Sequence, residues 1–252
     1  MSEPAKILIE ARDLTVGYGD RPVLEQINFQ VHRGEVFAIL GASGAGKSTL
    51  LKHLIGLYQP LRGDVLISGA SIVHAEGEER LRILRKFGVL YQGGALFGSL
   101  TAVENVRLPL DEFTDLPELA KDFIALSKLR LVGLEAAATK LPADLSGGMQ
   151  KRAAIARAIV MDPCVLFLDE PSAGLDPITS AGLDALIREL ARGLGITFVM
   201  VTHELASIYA VADRVVVLDP KTRRIVAEGA PLWLREHATQ PWVRQFLNRE
   251  VA

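Results

Sequence analysis

Residues 41–48 read Gly41-Ala-Ser-Gly-Ala-Gly-Lys-Ser48 and fit the pattern G-x-x-x-x-G-K-[ST]. Just before them, Val36 to Leu40 is a short apolar run that predicts a buried strand. Just after, Ser48 to Leu57 carries Leu50, Leu51, Leu54, Ile55 and Leu57 at helical spacing. Strand, glycine-rich turn and helix in that order make an anion cradle. Glycines let successive backbone N–H groups turn toward one oxyanion. The helix N-terminus adds a partial positive charge. Lys47 would then reach β- and γ-phosphate oxygens, and Ser48 would be a ligand for Mg²⁺. A glycine-rich turn with a surface lysine is the bland alternative, and it leaves both flanks unexplained. A dinucleotide fingerprint fits worse, because Thr49 stands where a third glycine should follow Gly44 and Gly46.

A second apolar run ends in acid: Val165-Leu-Phe-Leu-Asp169-Glu170. It predicts a buried strand with two carboxylates at its C-terminal end. Lying beside the strand before the phosphate loop, it would bring Asp169 to Mg²⁺ through water. Glu170 would point the other way and polarise an attacking water. Two acids in series are costly to desolvate unless a cation offsets them. Alone, the pair also reads as an acidic turn capping a helix; next to a phosphate loop, the metal and water roles are preferred.

Outward from these two runs, the pattern alternates. Ile7 to Val16, Ile27 to Val31, Val65 to Ile67 and Val89 to Tyr91 read as strands. Thr197 to Thr202 reads as another buried strand, and Val215–Leu218 with Ile225–Glu228 as a hairpin. Thr179 to Arg192 reads as a helix. Residues 93–160 are mostly helical in texture, with Leu119 to Leu134 the clearest stretch. The last segment, Pro231 to Arg249, predicts one or two short amphipathic helices in a tail spanning 231–252. The expectation is an α/β domain over 1–252 with a mainly parallel sheet covered on both faces, an antiparallel β region and a helical insert.

Composition narrows the function classes. Of 252 residues, 49% are hydrophobic and 23% charged, ordinary for a globular protein and unlike a disordered one. A net charge of −2 argues against a strongly basic nucleic-acid coat. One cysteine, Cys164, excludes an internal disulfide and a cysteine-cluster metal site. The longest uncharged run, Phe87 to Val103, contains four glycines and is too short and too polar to span a bilayer. Met1 to Glu10 lacks the apolar core of a secretory signal, so a cytoplasmic location is expected. His32, His53, His74 and His237 lack metal-ligand partners at useful spacing and read as structural or exposed.

Leu145-Ser-Gly-Gly-Met-Gln150 precedes a helical run containing Ala153, Ala154, Ile155, Ala158 and Ile159, with Ser146 as a good N-cap. By itself Ser-Gly-Gly is a common turn. Between a phosphate loop and an Asp-Glu strand, it resembles the signature of the ATP-binding cassette (ABC) family, and the resemblance covers nearly the whole chain. Tyr18 matches the adenine-stacking aromatic, Gln92 the Q-loop glutamine, Ser172 to Asp176 the D-loop and His203 the switch histidine. The resemblance implies a P-loop NTPase fold, the ABC nucleotide-binding domain, with ATP and Mg²⁺ as cofactors. It assigns nucleotide contacts to Tyr18, to Gly41, Ala42, Ser43, Gly44, Ala45, Gly46, Lys47, Ser48 and Thr49, to Gln92, and to Ser146, Gly147, Gly148, Met149 and Gln150. It assigns metal contacts to Ser48, Gln92 and Asp169, and catalysis to Lys47, Gln92, Glu170 and His203. ATP would lie between two copies, the phosphate loop of one facing residues 146–148 of the other.

Gln92-Gly-Gly-Ala-Leu-Phe97, followed by Asn105-Val and Pro109-Leu110, looks like the ATPase subunit of Mla-type phospholipid transporters, with Gly93 in place of the usual serine. The tail Pro241-Trp-Val-Arg-Gln-Phe-Leu247 resembles the end of that subunit, where the last residues reach across to the partner cassette. This implies an integral membrane permease whose coupling helix meets Ala95, Leu96, Phe97 and Gly98, an Mce-type lipid-binding protein and a small accessory subunit. It places the chain at the cytoplasmic face of the inner membrane, peripherally. The rival classes are a cassette for another substrate, a soluble cassette acting on nucleic acid or ribosomes, and a silent binding module. No second cassette, long coiled coil or basic stripe favours nucleic acid, and Lys47, Asp169, Glu170 and His203 argue against silence.

Overall fold

The computed structural model describes residues 6–249. Ten strands among these residues form two sheets. The first begins with β1 (Ile7–Tyr18) and β2 (Arg21–His32), an antiparallel hairpin that closes where Tyr18 pairs with Arg21. β2 is longer than its alternating stretch Ile27–Val31 predicts, because pairing with β1 carries it back to the turn. β4 (Arg62–Ile67) pairs antiparallel with β1, and the two-residue β5 (Ala70–Ser71) closes the sheet order β2-β1-β4-β5.

The second sheet holds β3 (Val36–Gly41), β6 (Phe87–Leu90), β7 (Val165–Asp169), β8 (Thr197–Val201), β9 (Arg214–Asp219) and β10 (Arg224–Gly229), in the order β10-β9-β3-β8-β7-β6. All neighbours are parallel except β9 and β10, the expected hairpin. The central strands β3, β8 and β7 are buried along their whole length and are correspondingly apolar, whereas the edge strand β10 carries Arg224 and Glu228. Phe37, Ile39, Val165, Phe167, Val199 and Val201 face a core shared with the antiparallel sheet; Ala38, Leu40, Leu166, Leu168, Phe198 and Met200 face a core shared with the helices. Each of these side chains other than Ala38 contributes about 2 kcal/mol by leaving water.

The sheet order corrects one expectation. β7 does not lie beside β3; β8 lies between them, with Val201 paired to both Ile39 and Asp169. Asp169 is therefore about 10 Å, two strand spacings, from the C-terminal end of β3. It nonetheless reaches the phosphate loop, through the helix that follows that loop.

That helix is α1 (Lys47–Leu54). It stops before the expected Leu57, whose N–H turns back to donate to the Lys52 carbonyl at 2.9 Å. α2 (Gly77–Leu84) was not expected: Ile83 is its only buried residue, so it has no apolar periodicity to read. The helical region contains α3 (Ala102–Phe113), α4 (Glu118–Leu131) and α5 (Gly147–Ala158), with two 3₁₀ turns between α4 and α5. α3 begins in a Thr101–Glu104 capping box and α5 under a Ser146 cap. Val106, Leu110, Ala125 and Leu129 join the same core as Leu166 and Leu168, so no solvent layer separates the helical region from the sheet. α6 (Pro177–Leu194) is capped by Asp176, which accepts from the N–H groups of Ile178 and Thr179. α7 (Leu205–Val211), α8 (Pro231–His237) and α9 (Pro241–Asn248) complete the described chain. α9 buries Val243 and Leu247 against its own chain, and the Tyr209 hydroxyl donates to the Leu247 carbonyl at 2.6 Å. The end of the tail, residues 250–252, lies outside the described residues.

Candidate functional site

The C-terminal ends of parallel strands leave a crevice where α/β proteins take ligands. Here a cleft of about 700 Å³ opens at the end of β3, lined by residues 41–49 together with Gln92, Glu170 and His203. The loop can wrap because Gly46 caps α1 at φ 88°, a left-handed conformation. A Cβ on Gly46 would also come within 2.8 Å of the Val23 side chain, so glycine is required twice over.

Three of the four catalytic candidates converge through direct bonds or charge. Lys47 is 8% exposed, and its ammonium donates to the carbonyls of Gly41 at 3.0 Å and Ala42 at 3.2 Å. Burial lowers its pKa from the ordinary lysine value, and the nearby charges of Glu170 and Asp169 oppose that. The Ser48 hydroxyl donates to Asp169 Oδ1 at 2.9 Å, which joins α1 to the end of β7. Burial raises the Asp169 carboxyl, with the Ser48 bond working against the rise. Glu170 takes a left-handed φ of 48°, which turns its side chain away from the strand line. Its Oε1 accepts from His203 Nδ1 at 2.9 Å, while its buried Oε2 has no partner. A buried carboxylate oxygen without a partner is costly unless a ligand or water completes it.

The remaining candidates are placed more loosely. Gln92 lies on the loop after β6 and lines the cleft. Tyr18 is half exposed; its hydroxyl is 3.2 Å from Thr49 Oγ1 and its ring meets Tyr58 edge-on. Ser146, Gly147, Gly148, Met149 and Gln150 are not part of this cleft wall. Ser146 Oγ accepts from the Met149 N–H at 3.3 Å. Gln150 turns its amide back to donate to the carbonyls of Pro142 and Leu145. Gly148 has a reason to be glycine inside its own chain: a Cβ there would lie 2.3 Å from the Thr179 side chain. Thus the first turn of α5 does not line the phosphate loop's own cleft; its start, Ser146 and Gly147, is exposed, and a helix start carries free N–H groups.

Residues 24–173 match the family described as ABC transporter. The chain belongs to the ABC transporter family. It is 40% identical over 243 residues to the intermembrane phospholipid transport system ATP-binding protein MlaF of Haemophilus influenzae, covering 96% of this chain and 91% of that one. It is 40% identical over 245 residues to the probable ribonucleotide transport ATP-binding protein mkl of Mycobacterium leprae, covering 97% of this chain and 70% of that one. Among solved structures, the dimeric post-hydrolysis state of the ATP-binding cassette MJ0796 bound to ADP and Pi superposes with a TM-score of 0.79 at 31% identity, covering 88% of this chain and 98% of that one. The cassette cbiO1 of Clostridium perfringens, part of the complex cbiONQ, gives 0.82 at 32%, covering 90% and 89%. This ABC cassette is an ATP-binding and ATP-hydrolysing subunit of a membrane transporter.

Two residues of this cassette's cleft escaped the sequence reading. Val23, on β2, and Phe246, on α9, both line it. Val23 follows the hairpin turn and has no motif around it. Phe246 lies more than 190 residues beyond the loop it approaches, in a tail that the sequence marked as amphipathic and as similar to a partner-reaching segment, with nothing to tie it to its own chain's cleft. No local pattern announces either. No helix among the described residues is long and apolar enough to cross a membrane.

Proposed function

We propose that this ABC cassette powers phospholipid transport of the Mla type, as a peripheral subunit at the cytoplasmic face of the inner membrane. The observation that carries the catalytic part is Glu170: one carboxylate oxygen held by His203, the other buried, unpartnered and beside the phosphate loop. In this reading residues 41–49 bind the phosphates through backbone N–H groups, and Lys47 leaves its loop carbonyls for the β/γ-phosphate oxygens. Glu170 Oε2 orients a water toward the γ-phosphate, and His203 steadies both Glu170 and the departing charge. Tyr18 offers its half-exposed ring to the base.

The donor set fits Mg²⁺. Ser48 Oγ and Asp169 Oδ1 are hard oxygens 2.9 Å apart, and Gln92 lies on the same cleft. Among the described residues no three His, Cys, Asp or Glu side chains are grouped to hold a metal, so Asp169 would be the one carboxylate here and phosphates and water would complete the ion's shell. Held by Ser48, Gln92 and Asp169, the ion would neutralise charge on the β- and γ-phosphate oxygens.

The outward-facing N-terminus of α5 supports a second copy of the chain as partner. Residues 146–150 then contact the nucleotide held by the other copy, and ATP closes the pair. The permease reading is supported by exposed Phe97 and by a small apolar groove of about 210 Å³ lined by Leu84, Phe87, Pro109, Phe113 and Met161. An Mce-type lipid-binding protein and a small accessory subunit complete the assembly in this proposal. The likeness to mkl favours a second reading, a cassette of the same assembly type serving another cargo.

Lys47→Ala should cut hydrolysis by about 100-fold or more, because the β/γ-phosphate charge loses its cation. Glu170→Gln should bind ATP and accumulate as a dimer in light scattering, with hydrolysis nearly absent; a chain that stays monomeric with ATP would count against the sandwich. Cargo is tested by purifying the complex from membranes and analysing its lipids: co-purifying phospholipid and an Mce-type protein support the Mla reading, and their absence favours the second.

A further inference from the structure

Lys151 and Arg157 are two buried or half-buried cations on α5 that no step above uses. Lys151 is 6% exposed, and its ammonium donates to the backbone carbonyl of Gln92. Arg157, nearly two turns further along, donates to the carbonyls of Gly94 at 2.9 Å and Ala95 at 2.7 Å. Gly94 and Ala95 have φ of 75° and 51°, and the Gly94 N–H donates back to the Tyr91 carbonyl at 2.7 Å. Burial lowers the pKa of Lys151 from the ordinary lysine value, and the charges of Asp169 and Glu170 partly offset this, so the ammonium lies within electrostatic reach of both acids. A lysine stripped of most of its water and given a single carbonyl acceptor is expensive to maintain as packing alone.

We infer that Lys151 is a positioning residue for Gln92: it clamps the Gln92 carbonyl to α5, so that the Gln92 side chain stays over the phosphate-loop cleft. Arg157 extends the clamp to residues 94 and 95. The same helix begins at Ser146–Gly148, so the clamp ties the Gln92 loop to the α5 N-terminus as one body. Movement of either end is then felt at the other. Arg157 also borders the apolar groove formed by Phe87, Pro109 and Phe113, which places the far end of the clamp at the surface proposed for the permease.

The inference rests on the role proposed for Gln92, and the test separates the two. The full-length cassette is assayed for MgATP hydrolysis as wild type, Lys151→Met, Gln92→Ala and the double variant, with Lys151→Arg as the conservative control. The expected result is a fall in kcat of roughly tenfold for Lys151→Met with KM changed less than about threefold. Lys151→Arg should recover most of the rate. The double variant should be no slower than Gln92→Ala within about twofold, since a residue acting only through Gln92 has nothing left to lose. Independent, multiplicative losses in the double variant would overturn the inference while leaving Gln92 in place. A slow Gln92→Ala beside a Lys151→Met of normal rate would overturn it too. A Gln92→Ala of normal rate would overturn the Gln92 role itself, and the inference with it. Should Lys151→Met not fold, Lys151→Gln enters the same cycle, and its loss must likewise vanish on the Gln92→Ala background.

Discussion

At the scale of single residues, the buried acids carry most of the information. Glu170 and Asp169 are adjacent in sequence yet make different bonds, because the left-handed φ of Glu170 swings it toward His203 while Asp169 continues the strand toward Ser48. A non-glycine residue in that conformation costs on the order of 1 kcal/mol and persists where surroundings enforce it; here the Glu170 N–H is held by the Val201 carbonyl at 2.8 Å. Asp184, on α6, is a different case. It is buried, its Oδ1 has no partner, and it faces Ser207 and Glu204 of the α7 region with Arg188 nearby. Burial raises its carboxyl above the ordinary 3.8, Glu204 adds to the rise, and Ser207 and Arg188 oppose it. A raised acid binds its proton more tightly when folded. Its stabilising contribution is therefore complete below pH 3.8 and is lost as pH rises through the higher folded value. Asp184→Asn should flatten that part of the stability curve: the variant's thermal midpoint should gain on wild type as pH rises from 4 to 8. An unchanged difference across that range would show that Asp184 does not titrate with folding.

At the scale of elements, caps and short polar bridges hold the functional loops. Asn105 of α3 is fully buried, and its amide donates to the carbonyls of Phe97, Leu100 and Thr101 while its oxygen accepts from the Phe97 N–H. One side chain thus folds the stretch 97–101 onto α3. Asn105→Ala should lower unfolding free energy by about 3 kcal/mol, because several backbone groups lose partners at once. Denaturant titration measures this, and a loss below about 0.5 kcal/mol would mean that water replaces the amide. α5 was legible in sequence through its Ser146 cap, and α3 only as part of the helical texture of residues 93–160; its Thr101–Glu104 capping box came from the structure. α2 was not, since a surface helix with one buried residue leaves no periodic trace.

Across the whole molecule, the last helix closes back on the first half of the chain. α9 buries Val243 and Leu247 in the helical core and sets Phe246 beside the phosphate loop. Deleting residues 241–252 should therefore cost roughly 4 kcal/mol from two lost aliphatic side chains. It should also weaken ATP binding, since one wall of the cleft goes with it. Thermal melting and nucleotide titration of the truncated chain check both effects. Normal affinity in a destabilised variant would show that Phe246 lies near the nucleotide without touching it.

Residues 41–48 and the strand end Asp169–Glu170 stood out without coordinates because phosphate chemistry favours short contiguous segments, a loop of backbone donors and an acidic strand end; Ser146–Gly148 and His203 stood out only through the family resemblance, and their nucleotide roles belong to the proposal. The strand alternation was readable for a similar reason, since each run carries its own periodicity. What needed the folded chain were contacts between segments far apart. β8 between β3 and β7, Val23 and Phe246 in the cleft, and Lys151 under Gln92 all arise from packing distant pieces around two cores. A local pattern records which face of an element is apolar, and only the assembled sheet fixes which neighbour that face meets.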